Sequence, residues 1–226
     1  LQRITGSRLT YCYYRFGGVS ADIDQKFIDD TREFCKYMRG RFPIYKDLVT
    51  DNIILRKRVE DIGHINLETC RKYGATGPVL RGSGKPYDVR RAEPYSVYDR
   101  FDFEIPVYDE KDALARYLVR MDEMEQSLRI IEQALDSLPK GDDIHPKTPK
   151  NPKPPKGEAY FAVEGARGKI GVYLVSDGSK SPYRLKLRSP GFSNLSLFAE
   201  IARGTLLADA VSILGSLDLV IPEIDR

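Results

Sequence analysis

Three cysteines and two histidines are the only thiol and imidazole donors among these 226 residues. Cys12, Cys35 and Cys70 lie 23 and 35 residues apart, which gives no CxxC pair, no zinc-ribbon spacing and no even-numbered disulfide framework. His64 and His145 form no HExxH pair. A metal centre built wholly from nitrogen and sulfur donors of this chain is therefore not expected, and redox chemistry would have to use a metal held by another chain. The cysteine usage fits a reducing compartment. Long apolar runs are missing too: none approaches the roughly 18 to 20 residues that span a bilayer. No charged-then-apolar signal segment opens the chain. Charge of one sign is also scarce, with 36 basic against 33 acidic residues. Residues 139–157 alone hold five lysines and two aspartates, which leaves 31 of each sign elsewhere. No basic nucleic-acid face is indicated, and no nucleic-acid partner is expected.

The hydrophobic fraction of 41% is enough for one sizeable core or two small ones. From Asp24 onward Phe27, Ile28, Thr31, Phe34, Cys35 and Met38 recur at three- and four-residue spacing, the stripe of an amphipathic helix. It is expected to bend near Pro43 and resume through Ile44, Leu48 and Val49. Cys35 reads there as a small core hydrophobe. The clearest helix spans 112–138, where Leu114, Tyr117, Met121, Met124, Leu128, Ile131, Leu135 and Leu138 form a seam. The methionine pair reads as gap-filling core. Arg116, Arg120, Asp122, Glu123, Glu125, Gln126, Arg129 and Glu132 lie off the seam and are expected to face solvent or another subunit.

Six prolines and five lysines in residues 139–157 read as an exposed linker, with His145 as a solvated loop residue. Beyond it the period changes to that of strands at 159–164, 169–176 and 183–188, separated by glycine-bearing turns. Two short helices follow, at 195–202 and 206–214, capped by Ser193 or Asn194 and by Thr205. The predicted architecture is α+β: a helical bundle, a small antiparallel sheet and a helical C-terminal lobe. Its regions are 1–138, a helical bundle carrying the Gly/Arg-rich loop 77–98, then the linker 139–157, then 158–226. Opening at Leu1 in a helix-like stretch suggests a missing N-terminal portion.

Nucleotide motifs fail. Gly82-Ser83-Gly84-Lys85 resembles the end of a P-loop, but Val79 stands where the first glycine is required and Pro86 where a hydroxyl is needed. Gly165, Gly168 and Gly171 do not make GxGxxG and run into a strand. The loop 77–98 alternates turns with Arg81, Asp88, Arg90 and Arg91, a pattern that fits a structural ion-paired loop better than a site.

An ordered series of motifs carries a family resemblance: Arg15-Phe-Gly-Gly-Val19, Gly77-Pro-Val-Leu-Arg-Gly-Ser-Gly84 with Tyr87-Asp-Val-Arg90, Leu114-Ala-Arg-Tyr-Leu-Val-Arg-Met121, Gly165-Ala-Arg-Gly168, Ser189-Pro-Gly-Phe192, and the ending from Leu217-Asp218 to Arg226. Together they resemble the 49-kDa-type, or D-type, subunit family of respiratory complex I, the proton-pumping NADH:quinone oxidoreductase. The similarity covers the whole chain and roughly the C-terminal half of the family's length. The resemblance implies descent from nickel-iron hydrogenase large subunits, whose C-terminal Asp-Pro-Cys-x-x-Cys motif ligates nickel. Val220 and Glu223 stand at those two cysteine positions, and neither replaces a soft thiolate.

What the resemblance implies about function is a quinone head group in the emptied cavity, reduced by electrons from an iron–sulfur cluster on a neighbouring subunit. The implied pocket candidates are Asp218, Val220, Ile221, Glu223 and Arg167, with Arg15, Gly17, Gly18, Arg81 and Asp88 in loops near the site. Arg167 either polarises a quinone carbonyl or anchors a carboxylate such as Asp218 or Glu223, the latter being favoured. Pro222 departs from the glycine usual in that turn, and Ala166 and Phe16 depart from the family pattern as well. No cofactor is expected on this chain alone and no catalytic proton donor can be assigned in it. The implied partners are the cluster-bearing subunit, other peripheral-arm subunits, membrane-arm subunits and quinone, and the implied location is peripheral, on the cytoplasmic face of the inner membrane or its organellar equivalent. The rival readings are an ion-pumping relative with another electron donor, such as ferredoxin or reduced deazaflavin, and a non-catalytic scaffold.

Overall fold

A computed structural model of the chain describes residues 2–15, 18–139 and 153–225. A short helix α1 (Gln2–Thr5) precedes a hairpin of β1 (Tyr14–Arg15) and β2 (Gly18–Val19). Helix α2 (Gln25–Tyr45) starts where Asp24 accepts from the Phe27 N–H. Pro43 lies inside α2, which runs on without a break into five π-helical residues, Lys46–Thr50. The expected interruption is thus a widened turn just after the proline, not a stop. Three short helices follow, α3 (Ile53–Val59), α4 (Leu67–Tyr73) and α5 (Pro78–Arg81), and a fourth, α6 (Val89–Ala92), capped by the Asp88 side chain.

The long helix α7 (Ala113–Asp136) is capped by Asp112, which accepts from the Ala115 N–H at 2.7 Å. Its buried positions are Ala113, Leu114, Ala115, Arg116, Val119, Leu128 and Ile130. Leu114 and Leu128 of the seam are buried as expected, whereas Met121 and Met124 are only half-buried. The expectation that Arg116, Arg120 and Glu123 face outward is wrong. All three point into the molecule, because their partners Ser216, Asp218 and Arg81 come from segments distant in sequence.

The remaining sheet has the order β3 (Gly157–Gly165), β4 (Gly168–Ser176), β5 (Arg184–Arg188), antiparallel throughout. Gly165 pairs with Gly168, so Ala166 and Arg167 alone form the β3–β4 turn. Helix α8 (Pro190–Leu195) begins five residues before the predicted start because Ser189 caps it and Pro190 occupies its first turn. Helices α9 (Phe198–Ile201), α10 (Leu207–Ser216) and α11 (Ile221–Ile224) complete the chain. No side chain caps α10, so Thr205 is not its cap.

One apolar cluster joins two stretches far apart in the sequence. Ile65, Cys70, Ala75 and Val79 pack with Leu197, Ile201, Ile213 and Leu217. Helix α10 also packs on α3 and α7. The partition into 1–138 and 158–226 therefore follows chain order, while the core is shared. Most of the linker, residues 140–152, lies outside the described residues, as does His145. Among the described residues no helix is long and apolar enough to cross a membrane.

Candidate functional site

Arg116, Arg120 and Glu123 stand at i, i+4 and i+7, one stripe along α7. Each holds a different distant segment. Arg116 is fully buried and donates to Ser216 Oγ at 2.9 and 3.0 Å, to Gly63 O at 3.0 Å and to Lys111 O at 3.2 Å. Burial pushes its pKa down to about 10, helped by the charge of Arg120, and the group stays cationic at neutral pH. Arg120 donates to Arg116 O at 2.6 Å and places Nε 3.6 Å from Asp218 Oδ2. Burial lowers its pKa, with Asp218 and Glu123 opposing.

Glu123 reaches the loop 77–98. Its Oε1 lies 2.6 Å from Arg81 Nε, a close ion pair without hydrogen-bond alignment. Arg81, only 1% exposed, also donates to Glu164 Oε1 at 2.9 Å and to Tyr87 O at 2.8 Å. Glu164 in turn accepts from the Val89 N–H. Asp88 completes the group, 3.8 Å from Arg81 and bonded to the Arg90 guanidinium at 2.6, 3.0 and 3.2 Å. Burial raises the pKa of Glu123 and Glu164, against the pull of Arg81. Burial opposes ionisation of Asp88 as well, but the hydrogen bonds and charge of Arg90, with Arg81, outweigh it and hold that carboxyl below its ordinary value. The loop is an ion-paired structural unit, as its residue types indicated.

Arg167 sits at the β3–β4 turn, and two glycines bring it to its target. A Cβ on Gly77 would fall on the carbonyl of Arg167, and one on Gly168 would lie 2.7 Å from Gly77 N. Both glycines have positive φ, so the turn docks backbone to backbone on the start of α5. From there Arg167 donates through Nε to Asp218 O at 3.2 Å and through Nη2 to Asp218 Oδ1 at 3.3 Å. Of the two roles open to Arg167, anchoring a carboxylate is the one its hydrogen bonds serve.

Asp218 is thereby gripped by Arg167 and Arg120 and adopts φ +53°, a left-handed conformation uncommon for a non-glycine residue. It launches the segment that ends in α11. Glu223 is held separately: its Oε1 accepts from Ser189 Oγ at 2.7 Å and from the Gly191 N–H at 2.9 Å. Pro222 lies in the first turn of α11, where its missing N–H leaves no bond unmade. Beside Glu223 a cleft of about 580 Å³ is lined by Leu185, Leu187, Phe192 and Ile224 together with Lys186, Arg188, Ser189 and Ser193.

The structure thus brings Arg167, Asp218, Arg81 and Asp88 into one polar network through α7, with Glu223 clamped nearby by α8. Of the five pocket candidates only Glu223 lines that cleft. Val220 is half-buried and Ile221 is exposed. Arg15 and Gly18 lie in the first hairpin, where Tyr13 stacks on Phe27 at the start of α2. Helix α2 runs antiparallel to α7, with Arg32 on Asp136, Arg39 on Glu132 and Thr50 on Tyr117. The hairpin is consequently placed beyond the Asp136 end, about 24 Å of helix from Arg120. Gly17 lies outside the described residues. Sequence reasoning missed Arg120, Glu123, Glu164 and Ser189 as members of the network. Only Ser189 carried a usable local signal, a serine directly before a proline.

The donor set offers little to a metal. Cys12 is exposed while Cys35 and Cys70 are buried in different places, and burial raises the pKa of both buried thiols. Among the described residues no three His, Cys, Asp or Glu side chains converge on a common point.

This α+β chain, with its buried arginine–carboxylate network holding the C-terminal segment, is matched along its whole length by one family model. Residues 1–151 and 146–226 match the 49 kDa subunit of respiratory-chain NADH dehydrogenase, and the chain belongs to that family. It is 66% identical over all 226 residues to the D-type subunit of NADH-quinone oxidoreductase from Desulfotalea psychrophila, spanning 61% of that relative. It is 61% identical to the D-type subunit, numbered 2, from Opitutus terrae, spanning 57% of it. Against the D-type subunit from Geobacillus thermodenitrificans the identity is 47% over 225 residues, 62% of that chain. The chain therefore spans about three-fifths of the curated relatives that it matches.

Proposed function

We propose that this chain is part of the quinone-reduction module of a proton-pumping NADH:quinone oxidoreductase. In this reading electrons pass from an iron–sulfur cluster on a neighbouring subunit to quinone, and the 218–224 segment contributes to the quinone site. The reading extends to descent from a nickel-iron hydrogenase large subunit, with Val220 and Glu223 at the positions of lost thiolates. The observation that carries it is the double clamp on the C-terminal segment: Asp218 between two arginines, and Glu223 bonded to Ser189 and Gly191. Two separate polar anchors hold a short segment whose own residues, Val220 and Ile221, are apolar, an arrangement suited to presenting an apolar wall with polar groups at its ends. The relatives named for quinone oxidoreduction support the substrate class.

In this role the chain needs no cofactor of its own and is inactive in isolation. Its partners are the cluster-bearing subunit, other peripheral-arm subunits and membrane-arm subunits, with the assembly peripheral to the cytoplasmic face of the membrane. The test is removal of residues 219–226 in the assembled complex. Quinone reduction should fall at least tenfold while NADH oxidation by a water-soluble artificial acceptor persists. Normal quinone reduction in an assembled truncated complex would overturn the proposal.

A further inference from the structure

The β3–β4–β5 sheet has two unlike faces, and the pairing register assigns every residue to one of them. Glu164, Lys169 and Arg188 share one face, which packs on the body near the β3–β4 turn while Tyr160, Arg184 and Lys186 on it stay exposed. Glu164 bonds Arg81, Lys169 bonds Glu93, and Arg188 donates to Thr76 Oγ1 and to the Lys169 and Gly74 carbonyls. The opposite face is an apolar array: Ala159, Phe161 and Val163 on β3, Ile170, Val172 and Leu174 on β4, Leu185 and Leu187 on β5. Phe161, Ile170, Val172, Leu185 and Leu187 are between 38% and 59% exposed. A contiguous patch of this kind amounts to several hundred Å², at the upper limit of what a soluble monomer leaves open without a use for it.

We propose that this face is the docking surface for the part of the family's own polypeptide that has no counterpart in these 226 residues. Three observations select that occupant. The D. psychrophila relative, 66% identical here, has about two-fifths of its length outside the matched stretch. That is ample for a layer over three strands. The lysine- and proline-rich residues 140–152 contain a single large apolar side chain, Ile144, and cannot supply such a layer. Finally, the face is continuous with the cleft beside Glu223, because Leu185 and Leu187 line that cleft with Phe192 and Ile224. A layer laid on the sheet thus also forms the far wall over the clamped segment, and one polypeptide builds both sides of the proposed site. The docking claim rests on family membership and on the sheet face; only its extension to the far wall depends on the quinone reading.

The experiment uses a chimaera in which this chain replaces the corresponding stretch of the D. psychrophila protein, assembled in its complex. Val172→Cys and Leu187→Cys should react with a maleimide at least tenfold more slowly than Lys180→Cys in the exposed turn after β4. A photoreactive phenylalanine analogue at Leu185, away from the Tyr95 ring that already meets Phe161, identifies the occupant by the peptide it captures. The expected cross-link is intramolecular, to polypeptide outside the 226 residues, with no gain in chain mass on a denaturing gel. Capture of a different subunit or a second copy, or equal labelling at Val172→Cys and Lys180→Cys, would overturn the proposal. If quinone reduction survives the 219–226 truncation while the sheet face is protected, the quinone reading fails and the docking claim stands.

Discussion

The interior of α7 and the open face of the sheet invert the usual placement of polar and apolar groups. Arg81, Asp88 and Arg116 are almost wholly buried, whereas Phe161, Leu185 and Leu187 stand about half exposed. The first arrangement is self-sufficient, because every one of those buried charges meets an opposite charge or a ring of carbonyl and hydroxyl oxygens. The second is incomplete, because Phe161, Ile170, Val172, Leu185 and Leu187 stay between 38% and 59% exposed even with the Tyr95 ring set against Phe161. Buried ion pairs add little net stability relative to apolar packing, yet removing one partner is costly. The network is therefore best understood as a positioning device for Asp218 and the 77–98 loop, and the sheet face as an interface left for other polypeptide.

The largest expected effect comes from breaking the interior. Arg81→Met leaves Glu123, Glu164 and Asp88 buried without their shared cation, and should lower stability by about 3–5 kcal/mol in urea denaturation. A loss below about 1 kcal/mol would show the cluster to be far better hydrated than its burial implies. Next comes Gly168→Ala, which combines a disfavoured backbone conformation with a clash against Thr76 and Gly77. It should cost about 2–4 kcal/mol and detach Arg167 from Asp218.

A smaller effect separates the acids from one another. Glu123 and Glu164 have folded pKa values raised above the ordinary 4.5. The folded chain then holds more protons than the unfolded one, so stability should fall as pH rises from about 4.5 through the raised values. Asp88 behaves oppositely, since its depressed pKa contributes stability that is lost as pH falls below its ordinary 3.8. Glu123→Gln should flatten the first slope and leave the second intact, measured as denaturation midpoints between about pH 3 and pH 8. The smallest effect belongs to the sheet face. Val172→Thr should change stability by no more than about 0.5 kcal/mol where the face is open to water, and by more wherever it is covered.

The long helix and the three strands were legible because period and turn glycines are local signals. The α7 boundaries came within two residues, and the strands within about two at either end. The facing of α7 was not legible. Arg116 and Arg120 look like solvent positions until Ser216 and Asp218, about 100 residues on, are brought beside them. The start of α8 is legible in Ser189-Pro190, a capping serine before a first-turn proline, whereas the apolar run from Leu195 points to a later start. The Arg167–Asp218 pairing came from the family resemblance, and no spacing rule links a hairpin turn to a residue 51 positions later. The exposed sheet face was half legible. The third strand alternates Leu185 and Leu187 with charge, the pattern of a half-buried strand, yet both leucines stand about half exposed.

The most direct test of the proposed quinone site is photolabelling of the assembled complex with an azido-quinone, followed by peptide mapping. The expected result is label within residues 218–224 or on Phe192, suppressed by excess quinone and lost in an Arg167→Ala variant that still assembles. Quinone-protected labelling confined to other subunits, with residues 218–224 unlabelled, would contradict it.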